Sequence, residues 1–435
     1  MARLLTQKDV YAIINAMVSD MTGGQSSLRA VDTSSFISCG ELIMSYPTEN
    51  ILNSLGLLMG RILFSSRPYK GKWDIINSIR TGEYTHRLAK VSVYNRPALP
   101  AGPWNSDLYT NIAEGFTNGQ NLDGNGDPQS VKSMWEMHLS YPCELHYGGA
   151  SVWDTCITIP EVQLNQAMRD PGEMNELVST CLVEHENDIE LEKQAFRNAI
   201  VLNHIAGVYD MFKNGDMPGS VVNLTEAFNV KYYGSDTTSY KTSSELRSTY
   251  LKEFLAFMVA TIKTYSKRMA NKSVNYHWTP EKVVGGETLE LLRHTPRDKQ
   301  KLFMYEPLFI DAESMVMSEV FNPKYLDIGN YEGVEFWQNE NAPESIEVTP
   351  AIPDADSNSA TYGTQIAGTK VTLDYVVGLL FDTDAMMSDF QIERVDSTPL
   401  EARKLYRNLW FHASKNGIND FTEKAILFIM ADPET

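Results

Sequence analysis

No apolar run in this 435-residue chain reaches the roughly 18 residues that a membrane-spanning helix needs. At the N-terminus, Met1-Ala2-Arg3-Leu4-Leu5-Thr6 meets Asp9 before any signal-peptide core develops. The expectation is a protein that stays in the compartment where it is made. Cysteine is scarce and scattered: Cys39, Cys143, Cys156 and Cys181 form no C-x-x-C pair. That gives neither a zinc knuckle nor a disulfide framework, and it fits a reducing cytoplasm. Positive charge is short as well, with 37 basic against 56 acidic residues for a net charge of -19. A protein that grips DNA by releasing counterions from phosphates shows the opposite balance, so tight nucleic-acid binding is not expected. Such a surface repels phosphate and keeps subunits soluble.

The motifs of common catalysis are also missing. His185-Glu186 begins an H-E-x-x-H zinc pattern, but Ile189 stands where the second histidine belongs. Neither His185 nor His204 has a glutamate three residues before it, so the di-iron bundle pattern fails too. Gly363 to Lys370 reads G-T-Q-I-A-G-T-K, with the lysine one place too late for a phosphate loop. Asp123, Asn125 and Asp127 have the first spacings of a calcium loop, yet Pro128 and Met134 occupy the positions of its glycine and glutamate. The chain holds no G-x-S-x-G elbow and no G-x-G-x-x-G loop. No catalytic, cofactor or metal residue is expected, and the reading is that of a non-enzyme.

Hydrophobic residues at 43% and charged residues at 21% are ordinary for folded soluble proteins. The length suggests about two or three domains. Charge is unevenly spread. Residues 61–100 hold Arg61, Arg67, Lys70, Lys72, Arg80, Arg87, Lys90 and Arg96 against Asp74 and Glu83, a net of +6. Residues 101–200 hold sixteen acidic and four basic residues, a net of -12. Glu184, Glu186, Asp188, Glu190 and Glu192 crowd into nine of those positions. Asymmetry of this kind within one chain serves docking between copies, or else forms two solvated faces. On one helix those five carboxylates point around several faces, which disfavours the paired acids of a glycosidase.

The apolar spacing of Val10, Ile13, Ile14, Met17 and Met21 predicts a helix over Thr6–Met21, stopped by Gly23-Gly24. A second helix is predicted over Glu49–Phe64. From about Arg67 to Tyr147 the chain is rich in Gly, Pro, Asn, Ser and Tyr, too long for an ordinary connection. An extended hairpin is predicted there, with Thr85–Tyr94 as one strand and Ser151–Ile159 as the returning one. Trp153, Thr155, Ile157 and Ile159 would share a face.

Asp170-Pro171-Gly172-Glu173 is a strong helix start. Met174, Leu177, Val178, Cys181, Leu182, Ile189, Phe196, Ala199 and Ile200 then recur at helical spacing. One helix of about 35 residues would span on the order of 50 Å, a strut. Residues 214–242 read as loops. Thr242 and Glu245 cap a helix striped by Leu246, Tyr250, Phe254, Met258, Ile262, Tyr265 and Met269, with Lys263, Lys267, Arg268 and Lys272 suited to its C-terminal end. Strands are predicted over Leu302–Ile310, Lys324–Ile328 and Val334–Gln338, with a helix over Asp311–Phe321. This alternation predicts a mixed α/β layer. Glu340–Gly368 reads as a polar surface insertion. Strands return at Gln391–Val395, Leu405–Ser414 and Ala425–Met430, with Lys415-Asn416-Gly417 as a turn signal.

Two segments, S-V-W-D-T-C-I-T-I-P-E-V-Q-L-N-Q-A-M from Ser151 and K-L-F-M-Y-E-P-L-F-I-D-A-E-S from Lys301, together with the order of elements, resemble the HK97-like major capsid proteins of tailed phages, above all those of small short-tailed phages. The resemblance implies an α+β fold. It would comprise an N-terminal arm (1–65), an extended E-loop hairpin (66–159), a P-domain spine helix (160–213), an A-domain (214–385, polar insertion near 340–368) and C-terminal P-domain strands (386–435). It implies a structural subunit that self-assembles as pentamers and hexamers into an icosahedral shell around double-stranded DNA. Partners would be other copies of itself, a portal, a separate scaffolding protein and DNA held by weak non-specific contact, without a membrane. The location would be the virion capsid, after assembly in the host cytoplasm. Arg67, Lys70, Lys72 and Arg80 of the hairpin base are expected to face Glu184, Glu186, Asp188, Glu190 and Glu192 of a neighbouring copy. The alternatives are an encapsulin-like cargo compartment and an acidic carbohydrate-active enzyme using the aromatic loops around Trp104, Trp135 and Trp153.

Overall fold

The computed structural model describes residues 7–46, 73, 75–78, 87–94, 141–148, 151–284, 287–308 and 330–432. The first helix, α1 (Gln7–Met21), forms as its spacing predicts and buries Val10, Ile13, Ile14 and Met17. A helix not anticipated follows, α2 (Thr33–Met44). It starts on a reciprocal cap: the Asp32 carboxylate accepts the Ser35 N–H at 2.7 Å, and the Ser35 hydroxyl accepts the Asp32 N–H at 3.0 Å. The expected helices over Glu49–Phe64 and Asp311–Phe321 and the strand Lys324–Ile328 lie outside the described residues.

Four strands come next: β1 (Asn77–Ser78), β2 (Arg87–Val93), β3 (Pro142–Gly148) and β4 (Ser151–Pro160). The hairpin exists, but its returning strand is β3 and not β4. Arg87 pairs with Gly148 and Val93 with Pro142. β4 instead runs antiparallel to a late strand, with Ile157 opposite Leu409 and Asp154 opposite His412. The period-2 signal in β4 was real, since Trp153, Thr155, Ile157 and Ile159 do face inward. Alternation fixes which side is buried and is silent on which partner supplies the ladder.

After the short α3 (Glu161–Ala167) comes the strut, α4 (Pro171–Asn214). Its 44 residues correspond to about 66 Å at 1.5 Å per residue, longer than expected. Pro171 opens it, and Gly215 ends it in the left-handed region at φ 88°, with its N–H turned back to Met211 and Phe212 carbonyls. Beyond it lie β5 (Val221–Asn223) and α5 (Leu224–Tyr233). This corrects the reading of 214–242 as loops. Asn223 accepts the Thr225 N–H at 3.2 Å, and Leu224 and Phe228 are buried, so a polar-looking segment holds two anchors on one face. The Thr242–Glu245 capping box is present on α6 (Ser243–Ser248), and the predicted stripe continues on a separate helix, α7 (Leu251–Met269).

The remaining strands are β6 (Lys282–Val284), β7 (Glu287–Leu289), β8 (Gln300–Tyr305), β9 (Asn330–Val334), β10 (Ile346–Val348) and β11 (Ala351–Pro353). They continue with β12 (Gln365–Ala367), β13 (Val371–Leu373), β14 (Val376–Asp382), β15 (Met386–Ser397), β16 (Tyr406–Asn419) and β17 (Ala425–Ile429). Val334–Gln338, expected as a strand, begins where β9 ends. Trp337 is fully buried, its indole N–H donating to the Val376 carbonyl at 2.9 Å, so its apolar signal came from the core. The polar 340–368 segment carries β10, β11 and β12, and Ile346 and Ile352 reach the main core.

Lys415-Asn416-Gly417 is not a turn. It lies inside β16, opposite Phe390, Asp389 and Ser388. A Cβ on Gly417 would stand 2.9 Å from Cδ1 of Ile200; the glycine is there because the strut passes close over the strand.

Two sheets organise these elements. The first has the order β1-β15-β16-β4 and the second β5-β17-β14-β8-β9. In the second, β14 is buried along its whole length and antiparallel to both neighbours, while β5 and β9 add as parallel outer strands. A strand buried on both faces reads as a continuous apolar run, here V-V-G-L-L-F. The strut serves both sheets. His185 near its start packs on Phe411 of β16 with ring centroids 4.3 Å apart. Its C-terminal half, including Val201, Ile205, Ala206 and Val208, lies in the core around the second sheet. Asn203 there exchanges two hydrogen bonds with the backbone of Ala351, at 3.2 and 2.7 Å. The chain is therefore α+β, as expected, with one long helix joining two β layers.

Candidate inter-subunit surface

The first sheet buries one face under α1, α2 and the start of α4. Phe36, Cys39, Met174, Leu409 and Phe411 share that cluster. The pleat sends the alternate residues to the other side. There Val152, Cys156 and Trp410 are exposed. Between them His412 Nδ1 lies 2.6 Å from an Asp154 carboxylate oxygen, and the Arg394 Nε donates to Asp396 at 2.5 Å. β4 pairs without interruption with β16, from Ser151 opposite Lys415 to Pro160 opposite Tyr406, while β15 pairs with β16 through a register shift between Ile392 and Arg394. β4 is the edge of this sheet among the described residues, and an edge strand offers unpaired backbone groups to another chain.

The second feature is the ribbon formed by β2 and β3. Among the described residues its strands pair only with each other. One face carries Lys90, Ser92, Tyr94, Cys143, Leu145 and Tyr147 towards the body, while Val91 and Val93 of the other face are exposed. Lys90 reaches two carboxylates near the chain end: Asp420, and Glu423 at 2.5 Å. Arg293 closes the group, 3.5 Å from Glu423 and donating to the Ser92 hydroxyl at 2.7 Å.

Environment sets the charge states. Burial pulls Asp420 upwards, but the Lys90 charge and the hydrogen bonds from Lys90 and Thr422 together hold its carboxyl below the usual range. For Glu423 burial outweighs the charges of Lys90 and Arg293, and its carboxyl is raised. Burial alone would lower Lys90; the two carboxylates reverse that and raise it. Burial and then the Asp420 charge push the Tyr147 phenol up, so it stays protonated and hydrogen-bonded to Asp420.

The entry to the ribbon is held in the same way. Glu332 accepts the Trp73 and Ile75 N–H groups at 2.5 and 3.2 Å, and Lys301 donates to the Ile75 carbonyl and, at 2.7 Å, to Asn77. Trp73 itself packs edge-on against Phe303 at 4.9 Å.

Of the residues expected to join copies, Arg67, Lys70, Lys72 and Arg80 lie outside the described residues, as do the side chains of Glu184 and Glu186. Asp188 is exposed, Glu192 is half-buried, and Glu190 pairs with Lys193 at 3.2 Å, one turn on. Lys90 was legible only as one positive charge in a basic segment. Its partners stand more than 300 residues away, and no local pattern announces them.

His185 is buried against Phe411, Lys370 pairs with Glu347, and Trp153 packs edge-on against Phe390 at 5.6 Å. Trp104, Trp135 and the Asp123–Asp127 segment lie outside the described residues. No group of three or more His, Cys, Asp or Glu side chains suited to a metal ion occurs among the described residues, and no helix among them is long and apolar enough to cross a membrane.

No family model and no curated protein sequence matches the chain. Solved structures do resemble it in chain path. One is the capsid structure of Staphylococcus phage Andhra, with 11% identity, 83% of this chain and 84% of that chain covered, and a TM-score of 0.45. Another comes from the head fibre and inner core protein structure of native bacteriophage P68, with 9% identity, 83% and 85% covered, and a TM-score of 0.47. A third is the mature capsid of bacteriophage PhiM1, with 7% identity, 84% and 89% covered, and a TM-score of 0.38.

Proposed function

We propose that this chain is a shell-forming structural protein, the major capsid subunit of a tailed phage. It assembles with copies of itself as pentamers and hexamers into an icosahedral shell around double-stranded DNA. The observation that carries this reading is mechanical. A 44-residue helix joins two β layers, and a two-stranded ribbon stands on the body by one face while Val91 and Val93 of its other face remain exposed. An exposed ribbon face that sets Val91 and Val93 beside Glu144 and His146 gains apolar burial and polar partners from an identical neighbour, and repeated head-to-tail contacts that close into rings build a large object from one chain.

The acidic balance of the chain suits a wall that encloses DNA without adhering to it. A portal and a separate scaffolding protein complete the partner set, and assembly takes place in the host cytoplasm before the shell becomes part of the virion. The domain division follows the element order, with β4 assigned to the first sheet beside β16 and the ribbon ending at β3.

Expression of the chain with its scaffolding protein, followed by electron microscopy and nucleic-acid assay of purified particles, tests the reading. Shells that package DNA in the presence of portal and packaging proteins support it; shells that recruit an enzyme cargo would favour the encapsulin-like alternative, and hydrolysis abolished by one carboxylate substitution would favour the enzyme. Within the proposal, the hairpin base at Arg67, Lys70, Lys72 and Arg80 docks on the acidic strut of a neighbour around Glu184–Glu192. Lys70→Glu with Lys72→Glu should impair assembly, and normal shells from that variant would end the docking idea.

A further inference from the structure

We infer that Lys90, Arg293, Asp420 and Glu423 form a seat that positions the β2–β3 ribbon on the body, and that this seat opens while the cores of both sheets stay folded. The four groups make a neutral set of two cations and two carboxylates, and Asp420 is fully buried. The acceptor side is built by the body alone. The Thr422 N–H and hydroxyl donate to Asp420 at 2.9 and 2.7 Å, the Asp420 N–H donates to the Ala385 carbonyl at 2.8 Å, and Arg293 Nε donates to the Thr422 carbonyl at 3.2 Å. Only Lys90, Ser92 and Tyr147 come from the ribbon. When the ribbon lifts, the receiving groups keep their geometry and water replaces the lysine.

Apolar packing under the ribbon is slight by comparison. Tyr94 and Cys143 meet Leu289 and Leu291 in a small cluster separate from both larger cores, with Tyr141 and Leu145 beside it. The outward face adds nothing, since Val91 and Val93 are 62% and 57% exposed. A set of charges with one member removed leaves an uncompensated buried charge, which is far less favourable than the complete set. Lys90 is therefore a positioning residue: it sets where the ribbon stands and so what the ribbon can reach.

Two cysteines report the two events separately. Cys143 is buried on the body-facing side of the ribbon, and Cys39 is fully buried between α2 and the first sheet. Peptide-resolved thiol alkylation of the unassembled full-length subunit measures both rates, so the outcome is independent of whether the chain forms shells. Lys90→Met should accelerate Cys143 labelling by about 100-fold or more, the scale expected for one missing partner in a buried charge set, with Cys39 unchanged. Lys90→Arg, which keeps the charge, should restore most of the protection, and Val91→Ser on the outward face should leave both rates as they are. An unchanged Cys143 rate in Lys90→Met would overturn the inference. So would a joint acceleration of Cys143 and Cys39, because the ribbon would then open only by unfolding the protein.

Discussion

Gly207 sits in the interior of the strut, and two physical effects assign opposite signs to Gly207→Ala. Alanine is the better helix former by about 1 kcal/mol at an interior position, so a free-standing helix would be stabilised. In this fold the new Cβ would stand 2.5 and 2.6 Å from two ring carbons of Phe421 and 3.1 Å from Cγ2 of Ile352. Ordinary carbon contacts lie at about 3.5 to 4.0 Å, so the ring must retreat by about 1 Å. It has little room to do so. Phe421 is buried, it stacks on His204 with centroids 5.0 Å apart and planes at 8°, and its carbonyl accepts the Trp278 N–H at 2.8 Å. Overpacking of this kind costs about 1 to 3 kcal/mol, and the expected net effect is a loss of about 1 to 2 kcal/mol. Urea unfolding of the unassembled subunit measures it. Phe421→Leu should be destabilising alone but should relieve the clash, so that the double variant is less damaged than the two losses added together, by about 1 kcal/mol. A Gly207→Ala subunit as stable as the parent, or a strictly additive double variant, would refute the close approach of the strut to Phe421 in the turn between β16 and β17.

Other consequences can be checked in the same subunit. Burial pushes His204 down to about 4, against about 6.5 in an unfolded chain. Unfolding therefore takes up a proton below pH 6.5, and stability falls with pH from there to about 4, by about 3 kcal/mol in all for this residue. His204→Gln should flatten the pH dependence of the urea midpoint by about one proton over that interval. Lys424 is buried, hydrogen-bonded to the Asn271 carbonyl and Ser273 hydroxyl at 2.7 and 2.9 Å, and pushed down to about 8 by burial. Between about pH 8 and the unfolded-state value near 10.4 the unfolded chain holds the extra proton, so stability should rise with pH there, and Lys424→Met should remove that rise. Trp73→Ala empties a site against Phe303 and Trp337 and should cost about 3 to 5 kcal/mol, seen as an earlier thermal midpoint.

Local chemistry made parts of this fold legible. Pro171 after Asp170 marked the start of the strut, and Thr242 with Glu245 marked the start of α6, because caps and prolines act within one turn. The stripe from Leu246 to Met269 held because every fourth residue or so must meet the same core. What failed was pairing and context. Ser151–Ile159 alternates correctly, yet alternation cannot name Tyr406–Asn419 as the partner strand. Asn416-Gly417 carries the chemistry of a hairpin turn, and only the passage of Ile200 over Gly417 explains a glycine within a strand. Leu224–Tyr233 hid among polar neighbours because its buried face mixes Leu224 and Phe228 with the polar Thr225 and Asn229. The seat of the ribbon was invisible for the same reason: a lysine at 90 and carboxylates at 420 and 423 meet only after the chain has folded.

Cryo-electron microscopy of particles assembled from this chain tests the central claim most directly. The account expects closed icosahedral shells in which the segment between β2 and β3 lies across an adjacent copy while the ribbon's base stays on its own Asp420 and Glu423. A chain that remains a monomer with its scaffolding protein present, and whose segment between those strands folds back onto its own body, would contradict it.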